Sequence, residues 1–189
     1  MPNWCNNRLI LKHKSKAQLN KAEKAFRKGK LLNAFIPIPK KLLNTAKEYT
    51  TDEKEQKAIN KVLEANTKKY GYPTWYEFCT EQWGTKWDVG GEEGYVEKID
   101  GGLEFRFDSA WAPPIAAYQK LIELGFEVYA TYHEPGMGYI GEFVDGVEHD
   151  YDTDSRSIPK HLYEEYMSDS DDEDDDSDEA IMMSFFEEK

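Results

Sequence analysis

Several signatures of common function classes are missing from this chain. Its two cysteines, Cys5 and Cys79, lie far apart in 189 residues and form no CxxC. That argues against a disulfide framework and a zinc knuckle, and both read as small buried apolar residues. No stretch approaches the length of apolar sequence that spans a bilayer, so no membrane partner is expected. Met1-Pro2-Asn3-Trp4 lacks the charged-then-apolar pattern of a secretory signal, and a cytoplasmic location is expected. GxSxG is absent, neither cysteine has a histidine at a motif spacing, and His13, His133, His149 and His161 form neither HxxxH nor HExxH. Asp150-x-Asp152-x-Asp154 begins like a calcium loop but has Ser155 and His161 where glycine and glutamate are needed. Gly90-Gly91 supplies no phosphate cradle. Gly136-x-Gly138-x-x-Gly141 has dinucleotide spacing, but a strand and not a helix is expected after it. A non-enzymatic protein without metal or cofactor is the expectation.

What is present is charge, strongly segregated. Residues 1–70 hold 17 Lys+Arg against 6 Asp+Glu, a net of +11, whereas residues 71–189 hold 7 against 31, a net of −24. Ser168 to Glu179 reads SDSDDEDDDSDE, nine acids in twelve residues: Asp169, Asp171, Asp172, Glu173, Asp174, Asp175, Asp176, Asp178 and Glu179. Such a run repels itself and buries nothing, so it is expected to be disordered alone. An apolar tip, Ile181 to Phe186, follows and contains Phe185 and Phe186. A free apolar end of this kind is expected to bind something, in cis or in trans.

The remaining sequence alternates strand and helix patterns. Asn3 to His13 is a strand candidate. Ser15-x-x-Gln18 resembles a capping box opening a helix with Leu19, Ala22 and Phe26 on one stripe. Leu31 to Lys41, broken by Pro37 and Pro39, reads as a packed loop. Thr51 to Tyr70, with Ile59, Val62 and Leu63 as its stripe, and Pro73 to Gln82 read as helices. Tyr95 to Asp100 and Leu103 to Asp108 flank Gly101-Gly102, a hairpin whose second strand turns Leu103, Phe105 and Phe107 inward and Glu104, Arg106 and Asp108 outward. Pro113-Pro114 opens a helix with Ile115, Tyr118 and Ile122 as its stripe. Phe126 to His133 alternates as a half-buried strand, and Tyr139 to Val144 and Val147 to Tyr151 form a hairpin around Asp145-Gly146. The order predicts an α+β protein: a ferredoxin-like β-α-β-β-α-β sandwich with a helical insertion over 45–82 and an extra C-terminal hairpin. The domain is expected to cover 1–160 and the acidic tail 161–189.

Four segments then become significant together: MPNWCNNRLIL at the start, WGTKWD at Trp83 to Asp88, FRFDSAWAPP at Phe105 to Pro114, and YHEPGMGYIGEF at Tyr132 to Phe143. In this order they resemble the YubB-like group of phage- and plasmid-encoded proteins, over roughly residues 1–145. The resemblance implies a ferredoxin-like domain and a mobile-element protein made inside bacteria; it implies no activity. In the expected topology these segments meet at one sheet edge, placing Trp4, Asn6, Asn7, Lys86, Trp87, Asp88, Trp111, Tyr132 and Glu134 together. The bland reading is a plug of tryptophans with hydrogen-bonded neighbours; the functional one is a recognition pocket, in which Lys86, Asp88, His133 and Glu134 are the candidate acid–base groups.

The tail suggests the function. A dense row of carboxylates imitates a nucleic-acid backbone and competes for a basic groove on another protein. The leading expectation is a phage or mobile-element protein that binds and inhibits a host bacterial nucleic-acid-handling or defence protein, with the nine acids, Phe185 and Phe186 as partner-binding residues. The alternative is a single-stranded nucleic-acid-binding protein that uses Lys/Arg of residues 12–30, with the tail as internal competitor or recruiting arm.

Overall fold

The computed structural model describes residues 3–168. Within them the elements run β1 (Trp4–Lys12), α1 (Lys16–Phe26), α2 (Leu31–Phe35), α3 (Glu53–Tyr70), α4 (Trp75–Gln82), β2 (Tyr95–Ile99), β3 (Gly102–Ala110), α5 (Ile115–Glu123), β4 (Glu127–Glu134), β5 (Tyr139–Val144), β6 (Val147–Asp152) and α6 (Lys160–Tyr166). The strands form one antiparallel sheet in the order β2-β3-β1-β4-β5-β6. The fold is therefore α+β. Asp169, Asp171, Asp172, Glu173, Asp174, Asp175, Asp176, Asp178, Glu179, Phe185 and Phe186 lie outside the described residues.

Strand alternation decides the two faces of the sheet. Leu9 and Leu11 stand beside Phe105 and Leu103 in register, and beside Ala130 and Val128 on the other side. All six are buried, under α1 and α5, which bring Ala22, Phe26, Ala117, Tyr118 and Leu121 to the same core. The Phe26 ring lies 4.8 Å from Phe105, and Tyr118 lies 5.6 Å from Phe143. Each such ring contributes about 1.5–3 kcal/mol by leaving water, so this layer holds the sheet together.

Turn chemistry fixes the hairpins. Asp145 (φ 52°) and Gly146 (φ 79°) both take left-handed backbone, as a type I′ turn between β5 and β6 requires. The β2–β3 turn is shifted by one residue from expectation. Ile99 pairs with Gly102, so the loop is Asp100-Gly101, and Gly102 is a strand residue whose Cβ would meet the Leu11 carbonyl at 2.4 Å.

Four other expectations are corrected. Ser15 stands at the start of α1 in extended backbone but its hydroxyl makes no capping bond; its carbonyl accepts from Gln18 and Leu19 instead. Leu31–Phe35 is helical, because Asp88 supplies the acceptors its first amides need. Along α3 the buried position is Asn66, while Val62 is half exposed. Asn66 donates to the Pro73 carbonyl at 3.1 Å, which ties the helix to the chain leading into α4. In α5 the stripe is Ala117, Tyr118 and Leu121, with Ile122 outward.

The largest departure is α6. Residues from 161 were expected to begin the tail, yet Leu162 is buried with Ile140 and Ile158 on the sheet face away from α1 and α5. Thr131 donates to Glu165 at 2.9 Å, and the His133 ring lies 5.7 Å from Tyr166. The strand residues expected to face water on β4 are thus roofed by a helix.

Candidate functional site

The segment from Trp83 to Gly94 fixes the site, through what it pins inward. Trp83 is buried and its indole donates to the Ile36 carbonyl at 3.0 Å. Thr85 donates to the Ala110 carbonyl at 3.0 Å, holding the segment against the end of β3. The Asp88 carboxylate accepts from the amides of Leu32 (2.7 Å), Asn33 (3.0 Å) and Val89 (2.9 Å). Gly90 (φ 96°) presses on α1, where a Cβ would meet the Phe26 carbonyl at 2.3 Å and the Phe26 ring at 2.8 Å. With Trp83, Thr85, Asp88 and Val89 committed inward, Lys86 and Trp87 have only the outside left.

Three tryptophans meet there. Trp87 lies 5.9 Å from Trp4 and stacks on Trp111 at 6.4 Å and 22°. They are 47, 39 and 42% exposed for Trp4, Trp87 and Trp111. Trp111 is presented by a strained backbone: its φ of 65° is rare for a bulky side chain. The strain is held by its amide donating to the Asn3 carbonyl at 2.9 Å and by Tyr139 donating to its carbonyl at 3.0 Å. The Lys86 ammonium sits 4.7 Å from the Trp87 ring, 5.3 Å from Trp111 and 5.8 Å from Tyr76 of α4.

Beside this cluster, on the face roofed by α6, opens a cleft of about 630 Å³. Trp4, Trp87, Asn6, Arg8, Arg106 and Tyr166 are among its walls, with Glu93, Tyr95 and Asp108 at its side. Its floor is a polar network. Arg8 donates to both oxygens of Glu104, at 2.9 and 2.8 Å, and stands 3.7 Å from Glu165. Arg106 donates to Glu104 at 3.2 Å, and Asn6 to Asp108 at 2.6 Å. Glu104, expected on a wet face, is almost fully covered. Hydrogen bonding from Arg8 holds its carboxyl below the ordinary glutamate value of 4.5, against the opposing cost of burial.

Of the nine residues expected at this edge, Trp4, Lys86, Trp87 and Trp111 come together in the aromatic cluster and Asn6, Asn7 and Asp88 line the cleft beside it, with Asn6 exposed. Asn7 and Asp88, with Tyr132 and Glu134, serve the fold. Asn7 is buried, donating to the Cys5 carbonyl (2.7 Å) and Ser109 (2.8 Å). Asp88 caps α2, its carboxyl raised by burial against those amide bonds. Tyr132 is buried on the opposite face and donates to Asp150 at 2.7 Å. Glu134 folds onto the amides of Gly136 and Met137 in its own turn. Lys86, Asp88, His133 and Glu134 are therefore not assembled into one acid–base set. Burial pushes the Cys5 thiol up to about 12 and that of Cys79 to about 12, and it lowers His133. Among the described residues no group of three or more His, Cys, Asp or Glu is placed to hold a metal ion, and no helix is long and apolar enough to cross a membrane.

The cleft also contains residues that sequence reasoning did not single out. Arg8 and Arg106 are register partners, which the alternation of β1 and β3 puts on one face. Tyr166 reaches the cleft only because α6 exists, and nothing in its local sequence signals that. On the helical side, Lys21, Lys24, Lys28 and Lys30 line a second cleft of about 620 Å³ between α1 and α2, with no acidic residue in its wall.

No family model matches the chain, and no curated protein matches it. Among solved structures it is similar to a protein api92 from Yersinia pseudotuberculosis, described by the family model DUF1281, at 11% identity over 81% of this chain and 95% of that chain, with a TM-score of 0.43.

Proposed function

We propose that this is a non-enzymatic binding protein of a phage or mobile element, with a ferredoxin-like core extended by the β5–β6 hairpin. It acts in the cytoplasm of a bacterial host and engages a basic host protein that handles nucleic acid or serves defence. The resemblance in four motifs supports the origin, and the order β2-β3-β1-β4 supports the core.

One observation carries the binding mode. Tyr166, in the last turn of α6, forms part of the aromatic cleft, and the run of nine acids begins at Asp169. In sequence, the acidic run therefore begins three residues after a wall residue of the cleft. Aromatic anchors and an acidic charge array would meet one partner, the acids raising the encounter rate and the tryptophans supplying a desolvated centre. The cleft itself disfavours phosphate. Its arginines are already paired with Glu104, and Glu93 and Asp108 add negative charge.

The lysine cleft between α1 and α2 favours a second reading, in which single-stranded nucleic acid binds there and the tail competes for the same lysines. One experiment separates them: affinity capture from nuclease-treated bacterial lysate by the full chain, by a chain ending at Ser168, and by Trp87→Ala. The first reading expects one stoichiometric basic protein, lost without the tail and reduced several-fold by Trp87→Ala. Capture of that protein undiminished by either change sinks it. Nucleic acid retained without nuclease, and more strongly by the shortened chain, replaces it with the second reading.

A further inference from the structure

The Lys86 ammonium stands over three aromatic faces, those of Trp87, Trp111 and Tyr76, at 4.7, 5.3 and 5.8 Å. Among the described residues it has no carboxylate partner. A cation held by ring faces alone occupies a site whose attraction is the quadrupole of each ring, and such a site also suits other organic cations, quaternary ammonium among them. The rings are fixed independently of Lys86. Trp87 follows the inward-pinned Thr85 and precedes Asp88, Trp111 is locked by its bonds to Asn3 and Tyr139, and Tyr76 belongs to α4, whose first turn is capped by Thr74. All three rings remain about two-fifths exposed, so the space they share opens to solvent.

We propose that Trp87, Trp111 and Tyr76 form an aromatic cage for an organic cation, kept filled by Lys86 and opened when an arginine or lysine side chain of a partner takes its place. The strained backbone of Trp111 is what turns its ring into the cage. The exchange replaces one cation over the rings by another. This inference deepens the partner-binding reading by naming the group that the partner must bring.

The test needs no partner. Lys86→Met vacates the seat while keeping an unbranched apolar stem. Wild type and variant are titrated with tetramethylammonium chloride, with sodium chloride at equal ionic strength as reference, and followed by the indole N–H resonances of the five tryptophans. The expected result is saturable binding with about tenfold higher affinity in Lys86→Met, the shifts being largest for Trp87 and Trp111. Adding Trp87→Ala to that variant abolishes the response; Tyr76→Leu, on the exposed face of a helix, weakens it and serves if the tryptophan variant loses its fold by circular dichroism. Equal responses of wild type and Lys86→Met, or equal shifts with sodium, overturn the cage. Tail-dependent capture of a basic protein would stand or fall separately, since neither the tail nor the partner enters this titration.

Discussion

A single glutamate shows how the floor of the cleft is held. Glu104 accepts two hydrogen bonds from Arg8 and one from Arg106 while almost fully covered, so its charge is held by one largely covered cation and one exposed one. Replacing it by glutamine leaves Arg8 with a neutral acceptor and Glu165 at 3.7 Å as its remaining acid. Glu104→Gln should therefore destabilise the fold by about 1.5–3 kcal/mol at pH 7. The pH dependence has a definite sign. A carboxyl lowered in the folded state contributes stability above its unfolded value of 4.5, and that contribution is lost as pH falls through the lowered folded value. The penalty of Glu104→Gln should thus be full at pH 7 and shrink below pH 4.5, as urea denaturation at the two ends will read. A penalty that is the same at both would mean that the carboxylate charge is not what Arg8 uses. Trp111 belongs to the same scale. Its positive φ is invisible in sequence, because bulky residues seldom take it and the bonds that impose it come from Asn3 and Tyr139, both remote along the chain.

Among elements, those set by local chemistry are legible and those set by distant partners are not. The hairpin at Asp145-Gly146 follows from residues that tolerate φ above zero, and the Phe26 stripe follows from helical period. Helix α2 depends on Asp88, which lies 56 positions from Leu32, and α6 depends on Ile140, so neither announces itself in its own residues. The aromatic edge was legible because the pairing of β1 with β3 brings Trp4 and Trp111 to one end of the sheet, while Trp87 is added there by the bonds of Thr85 and Asp88. What could not be read was which polar neighbours would be consumed by turns and caps, as Asp88 and Glu134 are. Helix α3 offers a test at this scale. Asp52 accepts from the amides of Lys54 and Glu55 (2.8 and 3.0 Å), and Gly71 closes the far end at φ 83°. Only Asn66 of its eighteen residues is buried, so the helix adds little to the core. Asp52→Ala should cost about 1 kcal/mol locally, seen as faster amide exchange over residues 53–58, while the global denaturation midpoint barely moves. A cooperative loss of the whole domain would instead make α3 part of the folding core.

At the scale of the whole molecule, charge and shape point in complementary directions. The first 70 residues carry a net of +11 and the rest −24. The lysine cleft lies between α1 and α2, and the aromatic cleft lies on the sheet face under α6. On the proposed reading the nine acids would act on encounter, because charge steering reaches over about a Debye length, ~8–10 Å at physiological salt. The tryptophans would act on persistence, because a ring contributes only after it is desolvated. The two contributions should therefore separate kinetically. With nona-arginine as a basic probe and tryptophan fluorescence in a stopped-flow instrument, removing residues 169–189 should slow association by about tenfold or more at low salt and flatten its salt dependence. Trp87→Ala should leave association nearly unchanged and speed dissociation several-fold. If the two changes instead affect the same rate, the acids and the tryptophans do not make the separate contributions to binding that the proposal assigns them.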